Sequence, residues 1–229
     1  MEIGLSRKVS LREVFEAKNL ARVMQYLRAK SKNEALSKDS ILLLHRMLIE
    51  SVKEEIAGRF RLSGEYVRVG THIAPAPENI EQLIDEILIE YSSDQTSYFL
   101  DRIAKFHLDF ETIHPFNDGN GRIGRLLVNC QFSSFGFPGI IIRNKEKLQY
   151  GFSFNEYHLS KNTKPMEKII SLALTESLHK RLAYLKGLKI IALSDFAKKE
   201  GKSAPSVFNS ARRQTIAAFR EKGTWKIGV

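Results

Sequence analysis

Between His114 and Arg125 the chain reads His-Pro-Phe-Asn-Asp-Gly-Asn-Gly-Arg-Ile-Gly-Arg. Gly119 and Gly121 allow backbone conformations that a side chain would forbid. A helical stripe follows at Leu126, Leu127 and Cys130. A glycine-rich turn that enters a helix offers N–H groups with no internal partner and the positive end of the helix dipole, which together make an anion site. Arg122 and Arg125, three residues apart, face the same side of that helix start, and two guanidinium forks suit a di- or triphosphate. Asp118 adds one carboxylate at the mouth of the loop, and one carboxylate with phosphate oxygens and water is a common way to hold Mg²⁺. His114 is the group here able to take a proton near neutral pH. Each feature alone is ordinary turn or surface composition. Their joint spacing points to transfer chemistry on a nucleotide. It is not the Gly-x4-Gly-Lys-Ser/Thr loop, and it does not follow a strand as a dinucleotide fold requires.

Several elements must position this loop. Phe99, Ile103, Phe106, Phe110 and Ile113 are spaced four, three, four and three apart, so the segment Tyr98 to Ile113 is a helix with one apolar face. Pro115 ends it, because a residue before proline is driven out of the helical region. Upstream, Ser10-Leu11-Arg12-Glu13 has capping-box spacing and opens a helix to about Arg28. Ile41, Leu44, His45, Leu48, Ile49 and Val52 form a second stripe, on which His45 reads as a hydrogen-bonded core histidine. Ile80, Leu83, Ile84, Ile87, Leu88 and Tyr91 form a third. Between them, Gly58 to Pro77 breaks the pattern: Tyr66, Val67 and Val69 favour strands and Gly64 and Gly70 favour turns, so a short hairpin or flap is expected.

The 229 residues, 43% hydrophobic, suffice for one large domain or a medium domain with an appendage. The longest aliphatic runs, Ile41 to Leu44 and Ile140 to Ile142, are too short to cross a bilayer. No secretory leader pattern opens the chain. The single cysteine, Cys130, excludes an intramolecular disulfide and a cysteine-rich zinc site. His107 and His114 lack a third ligand for a hydrolytic metal centre. The expectation is a soluble, cytoplasmic, mostly helical protein. Net charge is +10, and residues 180–229 supply +9 of it, 12 Lys/Arg against three acids. A polyanion-binding appendage on a near-neutral core follows from that asymmetry.

His114 to Arg125 resembles the defining motif of the Fic family, His-x-Phe-x-Asp/Glu-Gly-Asn-Gly-Arg-x-x-Arg, with every specified position filled. Arg68 to Pro75 looks like the family's flap, and Asn129 to Tyr150 like its usual continuation. The resemblance spans roughly residues 10–180 and implies an all-α class, a helical core with a small β-hairpin flap. The implied activity is protein adenylylation, in which AMP passes from ATP to a Ser, Thr or Tyr hydroxyl of a target protein and pyrophosphate leaves. By that resemblance His114 is the general base and Asp118 the Mg²⁺ ligand. Gly119, Asn120 and Gly121 form the anion hole, with the Asn120 side chain orienting phosphates. Arg122 and Arg125 grip the β and γ phosphates, and Phe116 anchors the loop in the core. Tyr150 stands beside the adenine. Val67, Arg68, Val69, Gly70, Thr71 and His72 dock the target as an added strand. The family's inhibitory Ser/Thr-x-x-x-Glu motif has no Ser or Thr at the matching distance before Glu2, so the expectation is weakened autoinhibition, with the inhibitory element either lost or left as a remnant at Glu2.

Residues 187–229 read as a second, basic domain. A short helix, Leu193 to Gly201, is followed by one capped by Ser203 with Pro205 in its first turn. A hairpin then pairs Thr215 to Phe219 with Thr224 to Ile227 around Glu221-Lys222-Gly223. This resembles a small winged helix-turn-helix, with Arg212 and Arg213 at the recognition-helix end and Arg220, Lys222 and Lys226 on the wing as DNA phosphate contacts. Two other readings stand beside adenylyl transfer. One is removal of AMP, or transfer of another nucleotide, by the same loop; the other is a DNA-binding regulator whose Fic-like core senses nucleotide. The oligomeric state is open between monomer and homodimer.

Overall fold

Ser10 caps the first helix of the computed structural model, which describes residues 10–29, 35–143 and 147–229. Its hydroxyl accepts from the Glu13 N–H at 3.2 Å while the Glu13 carboxylate accepts from the Ser10 N–H at 2.9 Å, the reciprocal pattern the spacing predicts. Helix α1 (Leu11–Ala29) packs along α2 (Lys38–Ile49), whose own capping box joins Ser37 and Ser40. Asn19 of α1 donates to the Leu48 and Glu50 carbonyls, closing the end of α2 where backbone oxygens lack helical partners. Further along come α3 (Ile80–Ser93), α4 (Phe99–Ile113) and α5 (Asn120–Ser134).

The chain divides into two compact units. One comprises residues through Ser97 with Lys105–Ser134; the other comprises Tyr98–Ala104 with Phe135–Val229. In the first, Ile41, Leu44 and Leu48 of α2, Ile80 and Ile84 of α3, Phe106, Phe110 and Ile113 of α4, and Ile123 and Leu127 of α5 share one core. Each such side chain contributes roughly 1.5–3 kcal/mol when fully buried. The flap is shorter than expected. Strands β1 (Arg68–Val69) and β2 (His72–Ile73) pair Arg68 with Ile73 and Val69 with His72, Gly70 turns the chain at φ +60°, and Val67 lies just outside β1.

The second unit contains α6 (Lys147–Ser160), α7 (Lys164–Leu185), β3 (Ile190–Ala192), α8 (Leu193–Lys199), α9 (Ala204–Arg212), β4 (Ala218–Glu221) and β5 (Thr224–Gly228). The strands form an antiparallel sheet in the order β3-β5-β4. Leu193, Ala197, Val207, Ala211, Ala218 and Ile227 make its small core. Three details differ from the sequence reading. Ile190–Ala192 is a third strand, which four polar-flanked apolar residues do not announce. Residues 215–217 are not strand, because Gln214 at φ +56° donates through Nε2 to the Ala211 and Ala218 carbonyls and holds a turn there. Ser203 occupies the cap position of α9 without making a side-chain cap bond.

The expected domain boundary falls between residues 180 and 187. Helix α7 runs through it and packs on β4: Tyr184 lies on Phe219, and its hydroxyl donates to Glu221 at 2.9 Å. Glu176 of α7 binds the Arg220 N–H at 2.9 Å and the Arg220 guanidinium at 3.0 Å. Among the described residues, no helix is long and apolar enough to cross a membrane.

Candidate active site

The end of α4 sets the first group. The His114 N–H still donates to the Phe110 carbonyl at 3.0 Å, yet His114 itself sits at φ +49°. That left-handed conformation costs a non-glycine residue roughly 1–2 kcal/mol, so the surroundings must impose it. They do so through Arg61, which is only 2% exposed. Its guanidinium donates to the carbonyls of His114, Glu65 and Pro75 at 2.9 Å and of Ile113 at 3.3 Å, while its N–H donates to Pro115. A cation thus closes the helix C-terminus, where the dipole favours it. It also ties the base of the flap, at Pro75, to the His114 turn.

Inside the loop, Phe116 is fully buried and stacks flat on His45 with ring centroids 3.7 Å apart. His45 accepts from the Gly58 N–H through Nδ1 and meets the Asp118 carbonyl through Nε2, both at 3.0 Å. One donor and one acceptor fix a neutral ring, and burial pushes its pKa down to about 4. His45 is therefore the core histidine expected, with an added role in holding the loop. Asn120 corrects an expectation. Its side chain is buried, with Oδ1 accepting from the Phe116 N–H at 2.9 Å and Nδ2 donating to the Phe116 carbonyl at 2.7 Å. It clamps the loop, each end of its amide bonding the Phe116 backbone. Gly119 at φ +87° also leaves no room for a Cβ, which would fall 3.0 Å from Ile49.

Charge gathers at the mouth. Asp118 meets Lys53 at 3.0 Å and both Arg12 and Arg122 at 3.2 Å. Burial alone would raise its pKa, but Lys53, Arg122 and the Gly119 N–H outweigh burial and hold it below the usual range. Arg122 also lies 3.5 Å from Glu16 of α1. Arg125 stands one turn further along α5, its Nη1 3.3 Å from where a Gly121 Cβ would be. His114 is held below its ordinary pKa, by burial first, with Arg61 and His72 acting in the same sense and the Glu111 carbonyl opposing. Its Nδ1 lies 3.3 Å from that carbonyl. A ring donating through Nδ1 keeps the Nε2 lone pair for a proton.

His114, Asp118, Gly119, Asn120, Gly121, Arg122 and Arg125 lie together on the turn from α4 into α5 and on the first turns of α5. His72 of the flap reaches the end of α4, Nε2 lying 2.8 Å from the Thr112 carbonyl. Tyr150, on α6, belongs to the second unit, where it packs edge-on against Phe154. Glu2 lies outside the described residues. Of the five basic residues assigned to DNA, Arg212, Arg213 and Lys222 are exposed. Arg220 and Lys226 are instead paired with Glu176 and Glu221, the latter at 2.8 Å, because the sheet folds back on α7. Arg61, Lys53 and Glu111 were not anticipated. Only Arg61 left a signal, a lone cation between Phe60 and Leu62.

Residues 35–132 match the Fic/DOC family model. The protein adenylyltransferase Fic of Aedes aegypti is 33% identical over 145 residues, covering 62% of this chain and 29% of that relative. The chain thus spans less than a third of that relative's length. The solved Fic-1 (residues 134–508) of Caenorhabditis elegans aligns with a TM-score of 0.68 at 26% identity, over 82% of this chain and 55% of that one. A Fic family protein of Desulfovibrio desulfuricans G20 shares the fold over 99% of this chain and 78% of its own, with a TM-score of 0.63 at 20% identity.

Proposed function

We propose that the protein transfers AMP from ATP to a hydroxyl side chain of a target protein. The observation that carries this is the His114 turn: a neutral, half-buried imidazole fixed at the end of α4, four residues before a glycine turn that opens α5 with Arg122 and Arg125. His114 Nε2 takes the proton of the target hydroxyl. The freed oxygen bonds to the α-phosphorus as the bond from that phosphorus to the pyrophosphate oxygen breaks. The N–H groups at the start of α5 and the two arginines hold the departing phosphates. The β1–β2 flap, fastened by Arg61 and His72, offers main-chain groups to an extended target segment.

Asp118 suits a Mg²⁺ ion: its carboxylate already draws three cationic nitrogens, so the site stabilises positive charge. Among the described residues no three His, Cys, Asp or Glu side chains gather as a ligand set, so nucleotide oxygens and water would complete the shell. The ion would supply charge neutralisation at the phosphates. The test is incubation of the full chain with α-labelled or γ-labelled ATP and Mg²⁺. Label from the α position should become protein-bound and label from the γ position should leave as pyrophosphate. Retention of γ label alone would overturn the reading.

A second binding activity is supported by the exposed cations of α8, α9 and the β4–β5 turn: Lys198, Lys199, Arg212, Arg213 and Lys222. Together with the strand–helix–helix–hairpin order, they fit duplex DNA held by its phosphates. Arg220 and Lys226 are outside this set. Phosphate contacts by Arg212, Arg213 and Lys222 alone imply a salt slope of about −2.7, a roughly forty-fold loss of affinity over a fourfold rise in salt. Fluorescence anisotropy of a labelled duplex with the full chain measures it, and salt-independent or absent binding removes the DNA assignment.

A further inference from the structure

Glu111 lies one turn before His114 on α4, and its side chain is only 10% exposed. Its Oε1 is buried and makes no hydrogen bond among the described residues. Its Oε2 lies 4.0 Å from His114 Nδ1, the same nitrogen that meets the Glu111 carbonyl. Room for the carboxyl is made on the facing helix. A Cβ on Gly124 would fall 2.5 Å from Glu111 Oε1 and 2.9 Å from His107, and one on Gly121 would fall 3.7 Å from Oε1. Gly124 of α5 therefore makes room for a carboxyl whose Oε1 finds no donor among the described residues, beside the imidazole.

We propose that Glu111 is the positioning residue of His114: its carboxylate orients the ring through the Nδ1 side and offsets the positive charge the ring gains on taking the hydroxyl proton. This rests on the adenylyl-transfer reading for its catalytic consequence, but not for its effect on the ring. The charged and titratable groups around the pair are His107 on the same helix, Arg125 on α5, and Arg61 and His72 toward the flap. Arg61 and Arg125 bring positive charge, His72 is a further imidazole, and Glu111 is the acid beside the ring. Burial pushes the Glu111 carboxyl up to about 7, with Arg125 opposing. Its ionisation therefore falls within the working range, and the rate should rise with pH through neutrality as the counter-charge appears.

Glu111→Gln preserves shape and removes the charge. The expected result is a kcat lowered about 10- to 100-fold, a KM for ATP within about twofold of wild type, and loss of the rise in kcat through neutral pH. The His114 ring, followed by NMR titration of Cε1–H, should protonate at lower pH in the variant than in wild type. Thermal melting should be unchanged or raised, since an unsatisfied buried carboxyl has been removed. Glu111→Asp, with its carboxylate withdrawn by one methylene, should fall between the two in kcat; it also serves if the glutamine variant does not fold. An unchanged His114 titration in both variants overturns the proposal whatever the activity. A wild type that transfers no AMP, with the titration shift intact, instead overturns the adenylyl-transfer reading.

Discussion

His114→Ala is expected to lower AMP transfer by about a thousandfold, within the 10²–10⁴ range that a general base contributes. The loss should fall on kcat, with KM for ATP changing by less than about threefold, because Arg122, Arg125 and the α5 N-terminus still meet the phosphates. The fold should survive. The His114 side chain is 17% exposed, and its ring is within 3.3 Å of one backbone carbonyl. What holds the turn is the Arg61 network on the backbone, which alanine leaves intact. His114→Asn is a useful companion, since asparagine tolerates the left-handed conformation and removes only the base. Steady-state transfer from α-labelled ATP measures both. Near-wild-type rates in either variant would mean that another group takes the proton.

Arg61→Met is expected to cost about 3–5 kcal/mol of stability. Four buried or part-buried carbonyls lose their donor at once, and each group left unsatisfied away from water costs roughly 1–3 kcal/mol, with incomplete additivity. The loss also strips the cation from the C-terminus of α4. Methionine keeps the unbranched stem, so packing changes least. At a temperature where the variant remains folded, kcat should still fall, because His114 is then free to leave φ +49°. Arg61→Lys should be intermediate: it keeps the charge but cannot reproduce the planar fork that reaches several carbonyls. Urea denaturation and kcat on the same samples measure this. A change below about 1 kcal/mol would show that the carbonyls find water instead.

These two variants separate what could be read along the chain from what could not. His114, Asp118, Gly119, Gly121, Arg122 and Arg125 were legible because they lie within twelve residues and their spacing is itself the geometry of a turn entering a helix. The stripes of α2, α3 and α4 were legible because burial on one face writes a period of about 3.6 into the sequence. Arg61 was not, since the carbonyls it binds lie at three separate places in the chain, Glu65, Pro75 and Ile113–His114. Asn120 was read wrongly for a related reason: its type suits either phosphate or backbone, and only the folded loop shows Phe116 satisfying both ends of its amide.

The basic segment teaches the same lesson about charge. Its excess was countable, but Arg220 and Lys226 are engaged because α7 carries Glu176 and a returning strand carries Glu221. The amino-acid order alone determined the helical class and the glycine-rich turn that opens α5 after His114, both of which depend on neighbours a few residues away. Tertiary packing decided which cations stay available, which asparagine faces inward, and that a buried glutamate stands behind the imidazole. Those outcomes depend on contacts between residues distant in sequence, where burial and pairing set the charge state.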